Sequence, residues 1–133
     1  MKTSSPRLPK KILIVEDEKP VSRALYLKLE GSGFACTPVE DGEAALKALK
    51  SNDFDLVILD LVMPRFDGFD VMQEMKRLGD KTPVLVVSNL SQEEDQARAK
   101  SLGALGYFVK SDTQLASIVR KIEDFFKHGR DKS

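Results

Sequence analysis

The sequence predicts an α/β fold in which five βα units build an open, doubly wound parallel sheet, a (βα)5 sandwich. Two observations lead to this fold class. Short β-rich runs alternate with helical apolar patterns along the chain, as in parallel βαβ units. The strongest strands are near-continuous apolar runs, which is typical of strands covered on both faces. A chain of 133 residues, 41% hydrophobic and 32% charged, is expected to form one domain around one core.

The first half of the chain predicts two βα units. Residues 11–15 form an apolar strand, and residues 34–39 form a weaker one. Pro38 places the weaker strand at the sheet edge, because proline cannot donate to a ladder. A helical apolar repeat follows each strand. The repeating residues are Val21, Leu25 and Leu29 in the first helix and Ala45, Leu46 and Leu49 in the second. The second helix is expected to begin at Asp41 or Gly42.

The second half predicts three more units, with strands at 55–60, 82–88 and 106–110. The first of these is the most apolar and is expected at the centre of the sheet. The helical repeats are Val71, Met72, Met75 and Leu78, then Ala97, Ala99 and Leu102, then Leu115, Ile118, Val119, Ile122 and Phe126. Ser91 and Glu94 predict a capping box for the fourth helix. This helix has few large apolar residues, so we expect it to be held weakly and to be the mobile element.

Charge and cysteine content exclude several classes of function. Lys plus Arg and Asp plus Glu both number 21, so no positive excess draws the chain to nucleic acid or to an anionic membrane. The single Cys36 cannot form an internal disulfide, and residues 1–11 lack the apolar segment of a secretory signal. The cytoplasm is therefore the expected location. His128, the one histidine, lies in a polar stretch and is expected at the surface.

Polar side chains end four of the five predicted strands. The acids 16–18 follow the first strand, Asp60 the third, Ser88 the fourth and Lys110 the fifth. The carboxyl ends of parallel strands share one edge, where ligands bind in such sheets. Asp60 is expected to lie against Lys110, since a buried carboxylate needs a cationic partner. Clustered carboxylates also favour a hard divalent ion, and Mg²⁺ with further phosphate-oxygen ligands fits best.

With these residues at the strand ends, residues 10–127 resemble the receiver domain of two-component response regulators, the CheY-like family. The motifs that carry the resemblance are the pair Glu16-Asp17, Asp60 with Met63-Pro64 and Asp67-Gly68 beyond it, Ser88, and Lys110. The resemblance implies a flavodoxin-like sheet of strand order 2-1-3-4-5. Residues 1–9 are then expected to form a flexible N-terminal tail and residues 128–133 a C-terminal tail. Asp67-Gly68 is expected to supply turn and helix-cap chemistry.

The resemblance also implies a phosphorylation site and a metal site. Asp60 would accept a phosphoryl group from the phosphohistidine of a histidine kinase or a histidine phosphotransfer protein. Mg²⁺ would be held by Asp17, Asp60 and the backbone carbonyl of Val62, with Glu16 acting directly or through water. The chain would then be a cytoplasmic signalling switch and not an enzyme in the usual sense.

Two further roles follow from the same resemblance. Ser88 and Lys110 would bind phosphoryl oxygens, so that donors already in place meet the charge developing during transfer. Tyr107 would change rotamer when Ser88 moves toward the phosphoryl group. The output would be a contact with a downstream protein target, or a dimer formed on phosphorylation through the fourth helix, fifth strand and fifth helix.

Three residues depart from the family pattern: Ser111 stands in place of a cis-proline, Asn89 in place of a small residue, and Ser88 in place of the commoner threonine. We expect a trans Lys110–Ser111 peptide, because a cis bond before a residue other than proline costs about 2.5–4 kcal/mol. Ser111 would then cap the last helix with Gln114. Asn89 is expected to crowd the phosphoryl pocket or to hydrogen-bond in it.

The resemblance also implies that Val62 and Leu90 flank the route of the attacking water to the phosphoryl group, and Asn89 is a further candidate for control of water access. Val62 lies two residues beyond Asp60, and Leu90 lies two beyond Ser88. Both are apolar, so neither can orient an attacking water by hydrogen bonding. The phosphorylated form is therefore expected to be long-lived.

Other classes of protein fit the sequence less well. An aspartyl-nucleophile phosphohydrolase needs a second acid where this chain has Val62, and a flavodoxin-like cofactor binder needs a glycine-rich phosphate loop where it has acids. The serious alternative is a pseudo-receiver, a protein-binding module without phosphorylation, which the complete acid set disfavours. The chain is expected to be either a stand-alone regulator or part of a longer one.

Overall fold

The computed structural model describes residues 8–128 and contains the five predicted βα units in order. The strands are β1 Lys11–Val15, β2 Ala35–Val39, β3 Leu56–Leu59, β4 Val84–Ser88 and β5 Gly106–Val109. The helices are α1 Lys19–Gly31, α2 Gly42–Ser51, α3 Gly68–Arg77, α4 Glu93–Ser101 and α5 Leu115–His128, and a short 3-10 turn, Lys110–Asp112, follows β5. Among the described residues, no helix has both the length and the apolar character needed to cross a bilayer.

The sheet has the strand order β2-β1-β3-β4-β5, and every neighbouring pair is parallel. This order confirms the predicted doubly wound fold and places β3 at the centre. β2 lies at the edge as predicted, with Pro38 opposite Ile14. Val15 pairs with Leu59, so the residues that follow β1 and β3 emerge side by side at the carboxyl edge of the sheet.

Two hydrophobic layers cover the sheet, because successive strand residues point to opposite faces. Leu13 and Val15 of β1 face the layer formed by α2, α3 and α4, whereas Ile12 and Ile14 face the layer formed by α1 and α5. All four residues of β3 are buried. The central strand therefore delivers the next residue, Asp60, to a site enclosed by packed side chains.

The structure corrects three local predictions. Leu78 is 46% exposed and is not part of the buried face, because it is the C-cap of α3, one residue beyond the helix end at Arg77. The Ser91 capping box is wrong: α4 begins two residues later, at Glu93, and has no side-chain cap. The Lys110–Ser111 bond is trans as predicted. The capping box at Ser111 is nevertheless wrong, because Ser111 lies in the 3-10 turn and α5 begins only at Leu115.

Helix α4 is held to the rest of the molecule by little apolar surface. Ala99 is its one buried residue among those the structure describes, and Ala97 is exposed. The Arg98 guanidinium lies 4.2 Å from the centre of the Phe69 ring, which adds a cation–π contact to α3. The predicted scarcity of apolar anchors in this helix is confirmed.

The predicted tails fall mostly outside the described part of the chain, which excludes residues 1–7 and 129–133. Leu8 is 90% exposed and lies outside any helix or strand. His128 is exposed, as predicted, and is the last residue of α5. The domain limits 10–127 stay a prediction.

The start of α3 packs directly on the backbone that carries Asp60. Asp67 caps the helix: its side chain accepts the N–H of Asp70, while the Asp70 side chain accepts the N–H of Asp67. This confirms the predicted cap. A Cβ on Gly68 would lie 2.5 Å from the Asp60 carbonyl oxygen and 2.7 Å from the Leu61 Cα. Only glycine allows this close approach.

We predict that Gly68→Ala lowers the free energy of unfolding by about 1–3 kcal/mol, because the added methyl group meets backbone atoms that cannot move aside. Gly31→Ala is the matched control, since its new Cβ would meet nothing within 4 Å. That control should be neutral or slightly stabilising. Urea unfolding of the three chains measures both changes. Equal stability of the Gly68→Ala and Gly31→Ala chains would contradict the close approach.

Candidate functional site

The candidate site lies at the carboxyl edge of the sheet, where β1, β3, β4 and β5 end. Asp60 is its centre. The backbone N–H of Asp60 donates to the Val15 carbonyl at 3.0 Å, which extends the β1–β3 ladder by one bond. The Asp60 residue is only 3% exposed. Burial of an ionised carboxylate is costly unless cations and donors compensate it, so its partners define the site.

Lys110 reaches Asp60 from the end of β5. Its ammonium nitrogen lies 3.2 Å from Asp60 Oδ2, 2.8 Å from Glu16 Oε1 and 2.7 Å from Glu18 Oε1. The predicted Asp60–Lys110 pair is therefore present. Glu18 was not predicted as a partner, although it is the third acid in the run after β1. One ammonium group is shared by three carboxylates, which leaves an excess of negative charge at this edge.

Three acids could hold a metal ion here. Glu16, Asp17 and Asp60 each offer a carboxylate oxygen, and these three oxygens lie within 4.8 Å of one another. Glu16 and Asp60 are buried, and Asp17 is the most exposed of the three. A set of hard oxygen ligands with one open side suits Mg²⁺, which keeps several waters and binds through few carboxylates.

Burial and neighbouring charges shift the pKa values of Glu16 and Lys110 in this cluster. Burial raises the pKa of Glu16 to about 7, and the charge of Asp60 adds to that rise, against the hydrogen bonds from Lys110 and the Glu18 N–H. Burial acts to lower the pKa of Lys110, but its bonds to Glu16 and Glu18 and the charge of Asp60 raise it overall. Lys110 is therefore charged, and the protonated form of Glu16 is favoured by its burial.

Val62 and Ser88 stand beside the acid cluster. The Val62 N–H donates to Asp60 Oδ1 at 3.2 Å, and the Val62 side chain is 52% exposed. Ser88 is fully buried at the end of β4, the strand next to β3. Its Oγ accepts the Leu90 N–H at 3.3 Å, which leaves the hydroxyl proton free to be donated elsewhere.

Leu90 also connects Ser88 to Tyr107. The Tyr107 hydroxyl donates to the Leu90 carbonyl oxygen at 2.6 Å. Burial raises the pKa of Tyr107 to about 12, and the charges of Asp95 and Asp60 add to this shift. Tyr107 therefore stays protonated, and the Leu90 backbone links its hydroxyl to Ser88.

Asn89, the other residue assigned to water access, is exposed, and its Oδ1 accepts the Ser111 N–H at 3.1 Å. The Asn89 side chain thus binds the backbone of the β5–α5 connection, and its expected role in the phosphoryl pocket stays a prediction.

The response regulator receiver domain family matches residues 12–123, and the chain belongs to that family. Among curated relatives, the probable transcriptional regulator ycf27 of Porphyridium aerugineum is 34% identical over 119 residues, covering 85% of this chain and 49% of the relative. The alkaline phosphatase synthesis transcriptional regulatory protein PhoP of Bacillus subtilis is 35% identical over 101 residues. That match covers 76% of this chain and 42% of the relative. The chain thus spans about half the length of these relatives.

Solved structures give the same result for the fold. The response regulator TrrA of Thermotoga maritima, in complex with Mg²⁺-BeF, has a TM-score of 0.76 and is 29% identical, covering 86% of this chain and 97% of that one. The receiver domain of a Francisella response regulator has a TM-score of 0.84 at 24% identity. The match covers 90% of this chain and 98% of that one. The predicted family and fold class are confirmed.

We predict that Glu16→Gln changes the pH dependence of stability when Mg²⁺ is removed by a chelator. The folded-state pKa of Glu16, about 7, lies above its ordinary value of 4.5, so folding favours the protonated acid. The wild-type chain therefore loses stability as pH rises from 4.5 to 7, by no more than about 1.4 kcal/mol per pH unit from this group. The amide that replaces the carboxyl group cannot ionise, so the variant should gain stability relative to wild type over that window.

Urea unfolding at pH 5, 6, 7 and 8 measures this difference. Glu123→Gln, a change at an exposed acid of α5, is the control and should follow the wild-type profile. A constant difference between Glu16→Gln and wild type at all four pH values would contradict the assignment.

Proposed function

We propose that this chain is a phosphorylation-dependent receiver in which Asp60 accepts a phosphoryl group and thereby switches a protein-interaction surface. The observation that carries the proposal is the setting of Asp60: a buried carboxylate 3.2 Å from Lys110, with oxygens of Glu16 and Asp17 close by. Family membership supports the same reading. The pseudo-receiver alternative is less favoured, because every group needed for phosphoryl transfer is present.

Asp60 is the proposed nucleophile. Its Oδ1 accepts the Val62 N–H and its Oδ2 faces Lys110, so one carboxylate is held from two sides. An oxygen of this group attacks phosphorus, and the bond from phosphorus to the donor histidine nitrogen breaks as the new oxygen–phosphorus bond forms. Fixing the carboxylate in advance lowers the entropic part of the barrier.

Mg²⁺ is proposed to be held by Asp17, Asp60 and the Val62 backbone carbonyl, with Glu16 acting directly or through water. When bound, it supplies positive charge against the carboxylates and the phosphoryl oxygens. Each of the four residues lies at the carboxyl end of β1 or β3. The fit rests on the chemistry of the donors. All of these ligands are oxygen atoms, and the negative charge of the carboxylates exceeds the single positive charge of Lys110.

Ser88 and Lys110 are proposed to bind the other phosphoryl oxygens. The Ser88 proton is free to be donated, and the Lys110 ammonium can move from a carboxylate oxygen to a phosphoryl oxygen a short distance away. Both are donors already in place, and Ser88 is fully buried while the Lys110 side chain is 11% exposed, so electrostatic stabilisation is stronger than in bulk water. Asp60, Ser88 and Lys110 are thus the proposed catalytic residues.

Switching is proposed to pass from Ser88 to Tyr107. A shift of Ser88 toward a phosphoryl oxygen would disturb its bond from the Leu90 N–H, and Leu90 also holds the Tyr107 hydroxyl. Release of that hydroxyl would let Tyr107 change rotamer. The weakly anchored α4 can follow at low cost, so the surface of α4, β5 and α5 is the proposed output and dimer face.

The partners follow from this chemistry. The phosphoryl donor is proposed to be a histidine kinase or a histidine phosphotransfer protein, and the output a contact with a downstream protein in the cytoplasm. We propose no direct contact with nucleic acid or a membrane, because the chain has 21 basic and 21 acidic residues and therefore no excess of positive charge. The chain would catalyse only its own phosphorylation and dephosphorylation.

We predict that Asp60→Asn abolishes the gain of one phosphoryl group when the chain is treated with acetyl phosphate and Mg²⁺. The amide is a poor nucleophile and cannot form the acyl phosphate. Intact-mass analysis measures the gain. Asp53→Asn, at an exposed acid before β3, is the control and should be phosphorylated like wild type. A phosphoryl group retained by Asp60→Asn would refute the assignment of Asp60.

We predict that Val62→Asn combined with Leu90→Glu speeds loss of the phosphoryl group by roughly tenfold, which corresponds to about 1.4 kcal/mol of barrier. Polar side chains at these positions can orient an attacking water, whereas the native apolar ones shield the site. The decay of phosphorylated protein with Mg²⁺ present, after the acetyl phosphate has been removed, measures the rate.

The control for that rate is Val62→Ile combined with Leu90→Met, which keeps both side chains apolar and should decay like wild type. Decay of the polar double variant at the wild-type rate or slower would show that water access is set elsewhere, with Asn89 the next residue to test.

A further inference from the structure

Two residues that depart from the family pattern contact each other. Asn89 stands where a small residue is usual, and Ser111 stands where proline is usual. They are 22 positions apart, in the segments that follow β4 and β5, and the Ser111 N–H donates to Asn89 Oδ1 at 3.1 Å. We call this hydrogen bond the Asn89–Ser111 clasp.

The clasp requires both departures at once. Proline has no backbone N–H, so it could not donate at position 111. An alanine at position 89 would have no acceptor on its side chain. The hydrogen bond therefore forms only when both departures are present.

Lys110 lies between the clasp and the sheet. The last paired positions of β4 and β5 are Ser88 and Val109, directly before Asn89 and Lys110. The Val109 carbonyl also accepts the Thr113 hydroxyl at 2.8 Å. The Lys110 backbone is thus fixed on one side by the ladder and on the other by the clasp, at the point where the chain turns into its 3-10 segment.

Such fixing matters because Lys110 has competing partners. Its ammonium is closer to Glu18 Oε1, at 2.7 Å, than to Asp60 Oδ2, at 3.2 Å. The Glu18 side chain is 54% exposed, so it can follow a displaced lysine outward. If the Lys110 backbone were free to shift, the ammonium could stay with Glu18 and leave Asp60 without its cation.

We propose that Asn89 and Ser111 are positioning residues, whose clasp holds the Lys110 backbone so that its ammonium reaches Asp60 and the incoming phosphoryl group. This inference rests on the proposed function for its effect on phosphorylation, but the geometry it describes belongs to the unphosphorylated chain.

The test introduces Asn89→Ala into three backgrounds: the native chain, Ser111→Ala and Ser111→Pro. Ser111→Ala keeps the backbone N–H and loses only the hydroxyl, whereas Ser111→Pro removes the donor. The measured quantity is the rate of phosphorylation by acetyl phosphate with Mg²⁺. Asn89→Ala should slow it about threefold to tenfold in the first two backgrounds, as expected for one hydrogen bond, and should have no effect in the third.

An equal effect of Asn89→Ala in all three backgrounds would overturn the inference, because Asn89 would then act on the phosphoryl pocket directly. No effect in the native background would also overturn it.

A second measurement tests, without phosphorylation, whether the clasp positions Lys110. The ¹⁵N signal of the Lys110 ammonium, recorded in chelator, should show several-fold faster proton exchange in Asn89→Ala than in the native chain. Unchanged exchange would overturn the inference whether or not Asp60 is phosphorylated. A native chain that gains no phosphoryl group but shows the faster exchange in Asn89→Ala would overturn the proposed function and support the clasp.

Discussion

The Asp60 carboxylate occupies the end of the central strand, where packed helices cover both faces of the sheet and where it is only 3% exposed. The rest of the site follows from the need to compensate that buried charge. Lys110 supplies one cation, but Glu16 and Glu18 compete for it. Burial raises the pKa of Glu16 to about 7, and the charge of Asp60 adds to that rise. A site with this excess of carboxylates suits a divalent ion, which we propose is Mg²⁺.

The groups around Asp60 lie on elements of unequal stability, as the proposed switch requires. β3 and α3 are packed firmly, and Gly68 lets α3 begin against the Asp60 backbone itself. Helix α4, in contrast, contributes one buried alanine among the described residues. Between these regions runs the β4–α4 loop, where Leu90 joins Ser88 to Tyr107 through its N–H and its carbonyl oxygen. A change at the phosphoryl site would therefore be taken up by the part of the molecule that is easiest to move.

The strands and the meeting of Asp60 with Lys110 could be predicted from the sequence, because apolar periodicity and parallel topology fix where strands end. The strand order was implied only by the resemblance to the receiver family. The role of Glu18 could not, since an exposed acid at the start of a helix looks the same whether or not a lysine reaches it. The Ser91 and Ser111 caps were wrong for a related reason. Capping sequences are common, and only the backbone path decides whether a helix begins there. The contact between Asn89 and Ser111 joins two loops distant in sequence, so no local pattern could reveal it.

Mg²⁺ titration of the metal-free chain, followed by thermal unfolding, tests most directly the claim that the acids around Asp60 form a cation site. We predict that Mg²⁺ raises the melting temperature, because an ion that binds only the folded state stabilises that state. The gain is about 2.7 kcal/mol at a hundredfold excess of the ion over its dissociation constant. Asp17→Asn should fold normally and lose most of that gain, because one carboxylate of the three that converge is removed. A melting temperature that does not respond to Mg²⁺, or one that responds equally in wild type and Asp17→Asn, would contradict the account.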